Sequence, residues 1–343
     1  MKGNHRRTAL LPAALLAGIA VTSLPASSRA AGDLNEARLK AADESQNWFT
    51  LWRDQNQTYF SLLAKIDATN VSRLGFAWAY DLATTRDQEA TPIVVDGVMY
   101  TSGSWGYVYA VDAATGKELW KFDPRANPFA ARNPCCDLVN RGVAVWKGKV
   151  YVASVDGRLH ALEAETGKQL WEVDTITDHK LPYSSTGAVY IADNLAVIGN
   201  SGVDMDSGGV RGYVSAYDVD TGKLKWRFYT VPGDSGQPYE NPELAIADRT
   251  WDPRRDAKYK GGGTAWDGFA YDPDLRLVYF GTANAAPYDQ RLLRNPTLFS
   301  PHRSSPSMRI PAASPGTTRQ RLVTTGISTP CKSLSLRISV STG

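Results

Sequence analysis

The chain has 343 residues, long enough for a large core or an extended repeat array, and a formal net charge of +3. That charge hides an asymmetry: Arg291 to Gly343 holds seven arginines, one lysine and no acid, and Lys2, Arg6, Arg7 and Arg29 lie in the first thirty residues. Setting those aside leaves 26 basic against 35 acidic residues over 31–290, net −9, so the body is acidic; it has no basic patch with interleaved aromatics, which argues against nucleic acid as a partner.

At the N-terminus, Lys2, Arg6 and Arg7 precede an apolar run from Ala9 to Val21, and Ser28-Arg29-Ala30 sets small residues at the two cleavage-determining positions. Residues 1–30 therefore read as a secretory signal peptide of the general export route. The run is short for a membrane span, and no other apolar segment approaches spanning length. Export permits a disulfide.

The first strand signals are Pro92 to Tyr100, two apolar runs about an Asp96-Gly97 turn, and Val108 to Val111. A pattern then recurs: AVDAATGKELW from Ala110 to Trp120, ALEAETGKQLW from Ala161 to Trp171, and AYDVDTGKLKW from Ala216 to Trp226, at spacings of 51 and 55 residues. Each Asp/Glu-x-x-Thr-Gly-Lys predicts a hairpin turn in which glycine takes the positive φ. Each tryptophan, at a fixed place after the turn, predicts packing between neighbouring units. Units of about 50 residues with several short strands predict an all-β fold, a β-propeller, with about four blades over 31–290.

Between the first two repeats, Cys135 and Cys136 stand side by side, with Arg141 five residues on. A disulfide between neighbours removes almost no chain entropy, so it does little for folding. Its plausible use is as a rigid surface for something to lie against.

After about Asp289 the composition changes: Trp266 is the last tryptophan, Tyr288 the last tyrosine, and Ser, Pro, Thr and Arg take over, as in a disordered tail over 291–343. The genetic code suggests a sharper reading. Codons permitted for Pro315 to Ser328, read two bases later, spell Trp-His-Tyr-Gln-Thr-Thr-Pro-Gly-Asp-Asn-Trp-Asp-Phe. The same shift from Ser305 to Gly316 permits Ala-Leu-Asp-Ala-Asp-Thr-Gly-x-Leu-Ala-Trp, the chain's own repeat. The tail is thus expected to be an out-of-frame translation starting between about Asp289 and Leu298.

Five stretches, in order over about 240 residues, carry a family resemblance. They are Gln88-Glu89-Ala90-Thr91-Pro92, Cys135 to Gly142 (CCDLVNRG), Val210-Arg211-Gly212-Tyr213, Gly261 to Trp266 (GGGTAW) and Gly281-Thr282-Ala283-Asn284. The body from Asn47 to Asp289 resembles the pyrroloquinoline-quinone-dependent alcohol dehydrogenases, which include methanol dehydrogenase and the quinohaemoprotein ethanol dehydrogenases. The resemblance implies an eight-bladed propeller, of which this chain covers the N-terminal half, and a flat tricarboxylated quinone, pyrroloquinoline quinone, at the propeller axis. It implies that the Cys135–Cys136 ring covers one face of the quinone and that Trp266 stacks on the other. Arg141 matches the contact to a cofactor carboxylate and the quinone oxygens, and Glu89 a carboxylate at the cofactor. Thr186, Ser201, Gly202 and Thr264 match hydroxyl and backbone contacts.

The family also binds a hard cation, calcium or a lanthanide, through a glutamate, an asparagine and the quinone. Asn284 occupies the asparagine position, and Asp204 stands where relatives show glutamate, with Asp206 as a competitor. The family's base is an aspartate in a Trp-Asp-Tyr/Phe segment. Here that segment exists only in the shifted frame, and no aspartate follows Asp289, so the chain as translated is expected to be inactive. For the intact parent, the resemblance implies a periplasmic enzyme oxidising a small alcohol to an aldehyde or ketone and passing electrons to a c-type cytochrome. The competing reading is a non-catalytic propeller used as a protein-binding scaffold; a polymer-directed alcohol dehydrogenase is a variant of the first.

Overall fold

A computed structural model describes residues 31–41, 44–202, 210–233, 236–248, 261–283, 285–286, 321–325 and 335–339. The expected signal peptide, residues 1–30, lies outside the described residues, as does most of 291–343. Strands dominate. Blade one is β1 (Ile93–Val95), β2 (Val98–Ser102), β3 (Val108–Asp112) and β4 (Glu118–Phe122). Blade two is β5 (Ala144–Trp146), β6 (Lys149–Ala153), β7 (Arg158–Glu163) and β8 (Gln169–Asp174). Next come β9 (Tyr183–Ser184), β10 (Tyr190–Ala192), β11 (Leu195–Gly199), β12 (Ser201–Gly202), β13 (Tyr213–Asp218) and β14 (Leu224–Tyr229). Of these, β10, β11, β13 and β14 form blade three, while β9 and β12 make a small ribbon of their own. Then follow β15 (Gly261–Gly262), β16 (Phe269–Asp272), β17 (Leu277–Gly281), β18 (Ala285–Ala286), β19 (Arg321–Thr325) and β20 (Ser335–Ser339).

Blades one to three are antiparallel meanders whose strands add in chain order. Their third strands are almost wholly buried because β-branched and aromatic residues face a neighbouring blade on both sides: β3 is VYAVD, β7 RLHALE and β13 YVSAYD. The largest apolar cluster runs across blades one, two and three without a break.

The repeated motif joins one blade to the next. Ala110, Ala161 and Ala216 pair across the strand with Trp120, Trp171 and Trp226, each beside a register shift. Asp112 shapes its turn by accepting from the amides of Ala114 and Thr115 (3.1 and 2.8 Å) and from Thr115 Oγ1 (2.8 Å). Thr115's hydroxyl and amide hold the Asp112 carboxyl below its usual range. The turn glycines, Gly116, Gly167 and Gly222, have φ of 68–73°. A Cβ on each would meet Trp78, Trp120 and Trp171 of the preceding unit at 2.5–2.9 Å. Those indoles also donate into the turns: Trp78 Nε1 to Ala113 O at 3.3 Å, Trp120 Nε1 to Ala164 O at 2.9 Å, and Trp171 Nε1 to Val219 O at 3.2 Å.

The fourth sheet departs from this plan. Its order is β16-β17-β20-β19, so the last two strands add in reverse chain order. Both come from the 291–343 tail, where composition predicted no regular structure; their sequences, RLVTT and SLRIS, are rich in Leu, Val, Ile and Thr, residue types compatible with a strand. Among the described residues no helix is long and apolar enough to cross a membrane.

Candidate cofactor site

The loop from Asn133 to Arg141 links blades one and two and is fastened at several points. Asn133 Nδ2 donates to Tyr183 O in β9 (2.9 Å), and Trp105 N, at a left-handed φ of 69°, donates to Leu138 O (2.9 Å). Leu138 is buried with Ala130 and Val155. Asp137 accepts from Asp87 N and Arg86 Nη1, both at 3.1 Å. The Asp87 amide is the first cause holding the Asp137 carboxyl below its ordinary range. Asn140, 2% exposed, is the anchor: its Oδ1 accepts from Ser102 Oγ (2.6 Å) and Gly142 N (3.1 Å), and its Nδ2 donates to Ala153 O (2.7 Å). One amide thus ties the loop to both flanking blades. On this frame Cys135 and Cys136 form a disulfide and stand exposed.

Arg141 contacts three of the other expected residues and, through Thr186, reaches a fourth. Its Nη2 lies 2.8 Å from Glu89 Oε2, and its Nη1 donates to Thr186 Oγ1 (2.9 Å) and Thr186 O (3.2 Å). Its own amide donates to Thr186 O (3.1 Å). The guanidinium carbon is 4.6 Å from the centre of the Trp266 ring. Thr186 extends the network to Ser201, with Oγ1 to Oγ at 2.7 Å and Thr186 N donating to Ser201 Oγ at 3.1 Å. Thr186 and Ser201 are each 5% exposed, whereas Glu89 is exposed. Gly202 continues β12 opposite Tyr183.

Trp266 arrives at the end of a segment pressed against blade three. Gly212 N donates to Gly262 O and Gly262 N to Val210 O, both at 2.8 Å. A Cβ at Gly199 would lie 1.9 Å from Ala265 O, and one at Gly212 2.0 Å from Gly263 O, so only glycine admits this approach. Thr264 is fully buried, and its carbonyl accepts from Ala283 N (2.8 Å).

Glu89, Arg141, Thr186, Ser201 and Trp266 therefore form one connected set, with the disulfide on the loop that carries Arg141. Asp204 and Asn284, expected at a metal, lie outside the described residues, as does Asp206. Among the described residues no three His, Cys, Asp or Glu side chains gather as a metal site. Sequence reading missed Asn140, Asp137 and Trp105, which hold the loop. It also missed Ser184 and Ser185, beside Thr186, whose buried hydroxyls have no hydrogen-bond partner. The set fits a flat, anionic, oxygen-rich ring: an exposed sulfur platform, a half-buried indole, a fixed guanidinium, and hydroxyls with bonding capacity to spare.

Residues 48–300 match the family described as "Glucose/ethanol/alcohol dehydrogenase, beta-propeller domain", PQQ, which is pyrroloquinoline quinone. This chain belongs to that family. It is similar to the quinohemoprotein alcohol dehydrogenase ADH IIB of Pseudomonas putida, 52% identical over 273 residues, 79% of this chain and 39% of the relative. The crystal structure of the quinohemoprotein alcohol dehydrogenase from Comamonas testosteroni matches with a TM-score of 0.73 at 44% identity, covering 77% of this chain and 39% of that one. A europium-containing methanol dehydrogenase matches with a TM-score of 0.64 at 34% identity, covering 73% and 45%. The chain spans about two-fifths of the length of the curated relatives it matches. The propeller fold read from the repeat is the fold of this PQQ family.

Proposed function

We propose that this chain builds the quinone-holding part of a pyrroloquinoline-quinone-dependent alcohol dehydrogenase. The observation that carries this reading is the Arg141 hub, which brings Glu89, Thr186 and Trp266 together on the loop of the vicinal disulfide. Cys135–Cys136 and Trp266 offer the two flat surfaces. Arg141 supplies a permanent positive charge for carboxylate and quinone oxygens. Thr186, Ser201, Gly202 and Thr264 line the polar edge, and Glu89 orients the guanidinium. Asp204 and Asn284 are proposed as the ligands of calcium or a lanthanide, in line with the europium-containing relative. When bound, the quinone with its metal supplies a hydride acceptor for the carbinol carbon of a small alcohol.

Proton removal from that alcohol needs a base, and no Asp or Glu follows Asp289 in this chain. The parent activity is therefore proposed as oxidation of an alcohol to an aldehyde or ketone, with this chain retaining cofactor affinity and little or no turnover. A relative named 1-butanol dehydrogenase (cytochrome c), 43% identical over 238 residues, supports a c-type cytochrome as the parent's electron acceptor. Removal of residues 1–30 on export would set the protein in the periplasm.

Purified protein titrated with pyrroloquinoline quinone and calcium is expected to bind the quinone saturably and to leave ethanol unoxidised. Absent binding sinks the cofactor reading, and ethanol oxidation sinks the inactivity.

A further inference from the structure

Of the five stretches that carry the resemblance, Val210-Arg211-Gly212-Tyr213 alone lends no side chain to the cofactor reading. Arg211 nevertheless sits where three parts of the molecule meet. Its carbonyl accepts from Tyr183 Oη in β9 (3.2 Å) and from Nδ2 of Asn200, the residue before Ser201 (3.4 Å). Its backbone bridges in parallel to Gly262, four residues before Trp266. Its side chain grips the segment after β14. Nε donates to Val231 O (2.7 Å), and Nη1 and Nη2 donate to the two carboxylate oxygens of Glu240 at 2.5 and 3.0 Å. That fork holds the Glu240 carboxyl below its usual range. The guanidinium carbon lies 3.9 Å from the centre of the Tyr229 ring, and a Cβ on Gly233 would lie 3.4 Å from it, so the fork packs on both ring and backbone. Thr230, the neighbour of Val231, donates from Oγ1 to Gly263 O (2.6 Å), and a Cβ on Gly263 would meet Val231 Cγ2 at 2.8 Å. The segment that the guanidinium grips is therefore the one that presses on the strand leading to Trp266.

We infer that Arg211 is a positioning residue for the quinone site. Its backbone joins the Thr186–Ser201 side to the Gly261–Trp266 side, and its side chain, latched by Glu240, fixes the spacing between them. The inference rests on the cofactor reading and adds to it a residue that touches no cofactor. The disulfide, the indole and the hydroxyls can serve one ligand only if their spacing is fixed to a fraction of an ångström. The strand before Trp266 is too short to set that spacing alone: β15 has two residues, and its bonds to Val210 and Gly212 flank Arg211 on either side. A second arginine of blade three supplies the contrast. Arg227 also stacks on a tyrosine, with its guanidinium carbon 4.7 Å from the centre of the Tyr213 ring, and it donates to Ser215 Oγ (2.8 Å) and Thr175 O (2.9 Å). None of these partners belongs to the Gly261–Trp266 segment.

Arg211→Gln and Arg227→Gln, each made in the full chain, test it. Arg211→Gln is expected to weaken binding of pyrroloquinoline quinone about 10-fold or more, the range for groups that hold a binding site from behind, and Arg227→Gln to leave it within about 2-fold. At saturation the absorption spectrum of the quinone should move back toward that of free quinone in Arg211→Gln alone. Equal losses in the two variants, or none in Arg211→Gln, overturn the inference. Glu240 is exposed, so Glu240→Gln spares the fold and carries the test if Arg211→Gln does not fold. It should weaken binding about 3-fold; unchanged affinity overturns the latch. Hydrogen exchange gives a readout that needs no quinone. The amides of Gly212 and Gly262 should exchange about 10-fold faster in Arg211→Gln than in Arg227→Gln, and equal exchange overturns the inference. A full chain that binds no quinone while exchange follows this pattern would sink the cofactor reading and leave Arg211 as the residue that positions the Trp266 segment.

Discussion

Blades one and two and the fourth sheet share one register and differ in what closes them. In blades one and two the third strand ends in an acid, a tight turn follows, and the preceding tryptophan donates into it. In the fourth sheet the same positions hold Arg337, Ser339 and Val323, and the tryptophan facing it has no acceptor. Strand pairing alone can recruit almost any Leu/Val/Ser sequence, because the ladder is made by backbone groups. Joining one blade to the next takes three side-chain types at fixed spacing. The connected set around Arg141 gathers on blades that meet that requirement, with Arg141 between blades one and two and the segment of Trp266 pressed on blade three.

The comparison breaks first at the tryptophans. Trp120→Ala removes a buried indole, its bond to Ala164 O and the surface on which Gly167 rests, and is expected to cost about 3–5 kcal/mol in urea unfolding. Trp226→Ala should cost about 1 kcal/mol less, since no hydrogen bond is lost with it. Equal losses would mean that the indole bonds do not distinguish the blades.

A smaller effect is expected at the loop. Asn140→Ala leaves Ser102 Oγ, Gly142 N and Ala153 O without a partner, at about 2–3 kcal/mol. It should also speed hydrogen exchange at Leu138 and Arg141 more than in blade three; uniform exchange would show that Asn140 is not the anchor.

The smallest effect is a pH dependence confined to blade two. His160, fully buried, has Nε2 3.0 Å from Ser154 Oγ and Nδ1 3.1 Å from Gln169 Oε1, with Phe122 against its ring and Arg158, Glu172 and Asp156 around it. Burial lowers its pKa below the ordinary value. The folded state therefore favours the neutral ring, and stability should be full above about pH 6.5 and decline as pH falls below it. His160→Gln should flatten that decline; an unchanged slope would exclude this residue.

The sequence made the propeller legible because each repeat combines a turn with a fixed glycine and a tryptophan whose packing permits little else, as Gly167 on Trp120 shows. Arg141, Thr186 and Trp266 were legible through resemblance, since no spacing brings residues so far apart in the chain together. The supports were not legible. Asn140 and Asp137 act through bonds to Ser102, Ala153 and Asp87, whose nearness only the stacking of blades creates. The tail strands were not legible either, because a composition rich in Ser, Thr and Arg says little about which backbone can extend a sheet edge.

Quinone affinity measured for the full chain and for Arg141→Gln tests the central claim most directly. In Arg141→Gln the charge and the contacts to Glu89 and Thr186 are lost together, while the disulfide and Trp266 remain. Saturable binding of pyrroloquinoline quinone, weakened about 100-fold or more by the substitution, with an unchanged melting curve, is the predicted result. Equal affinity in both proteins would contradict the assignment of Arg141 as the hub of a quinone site.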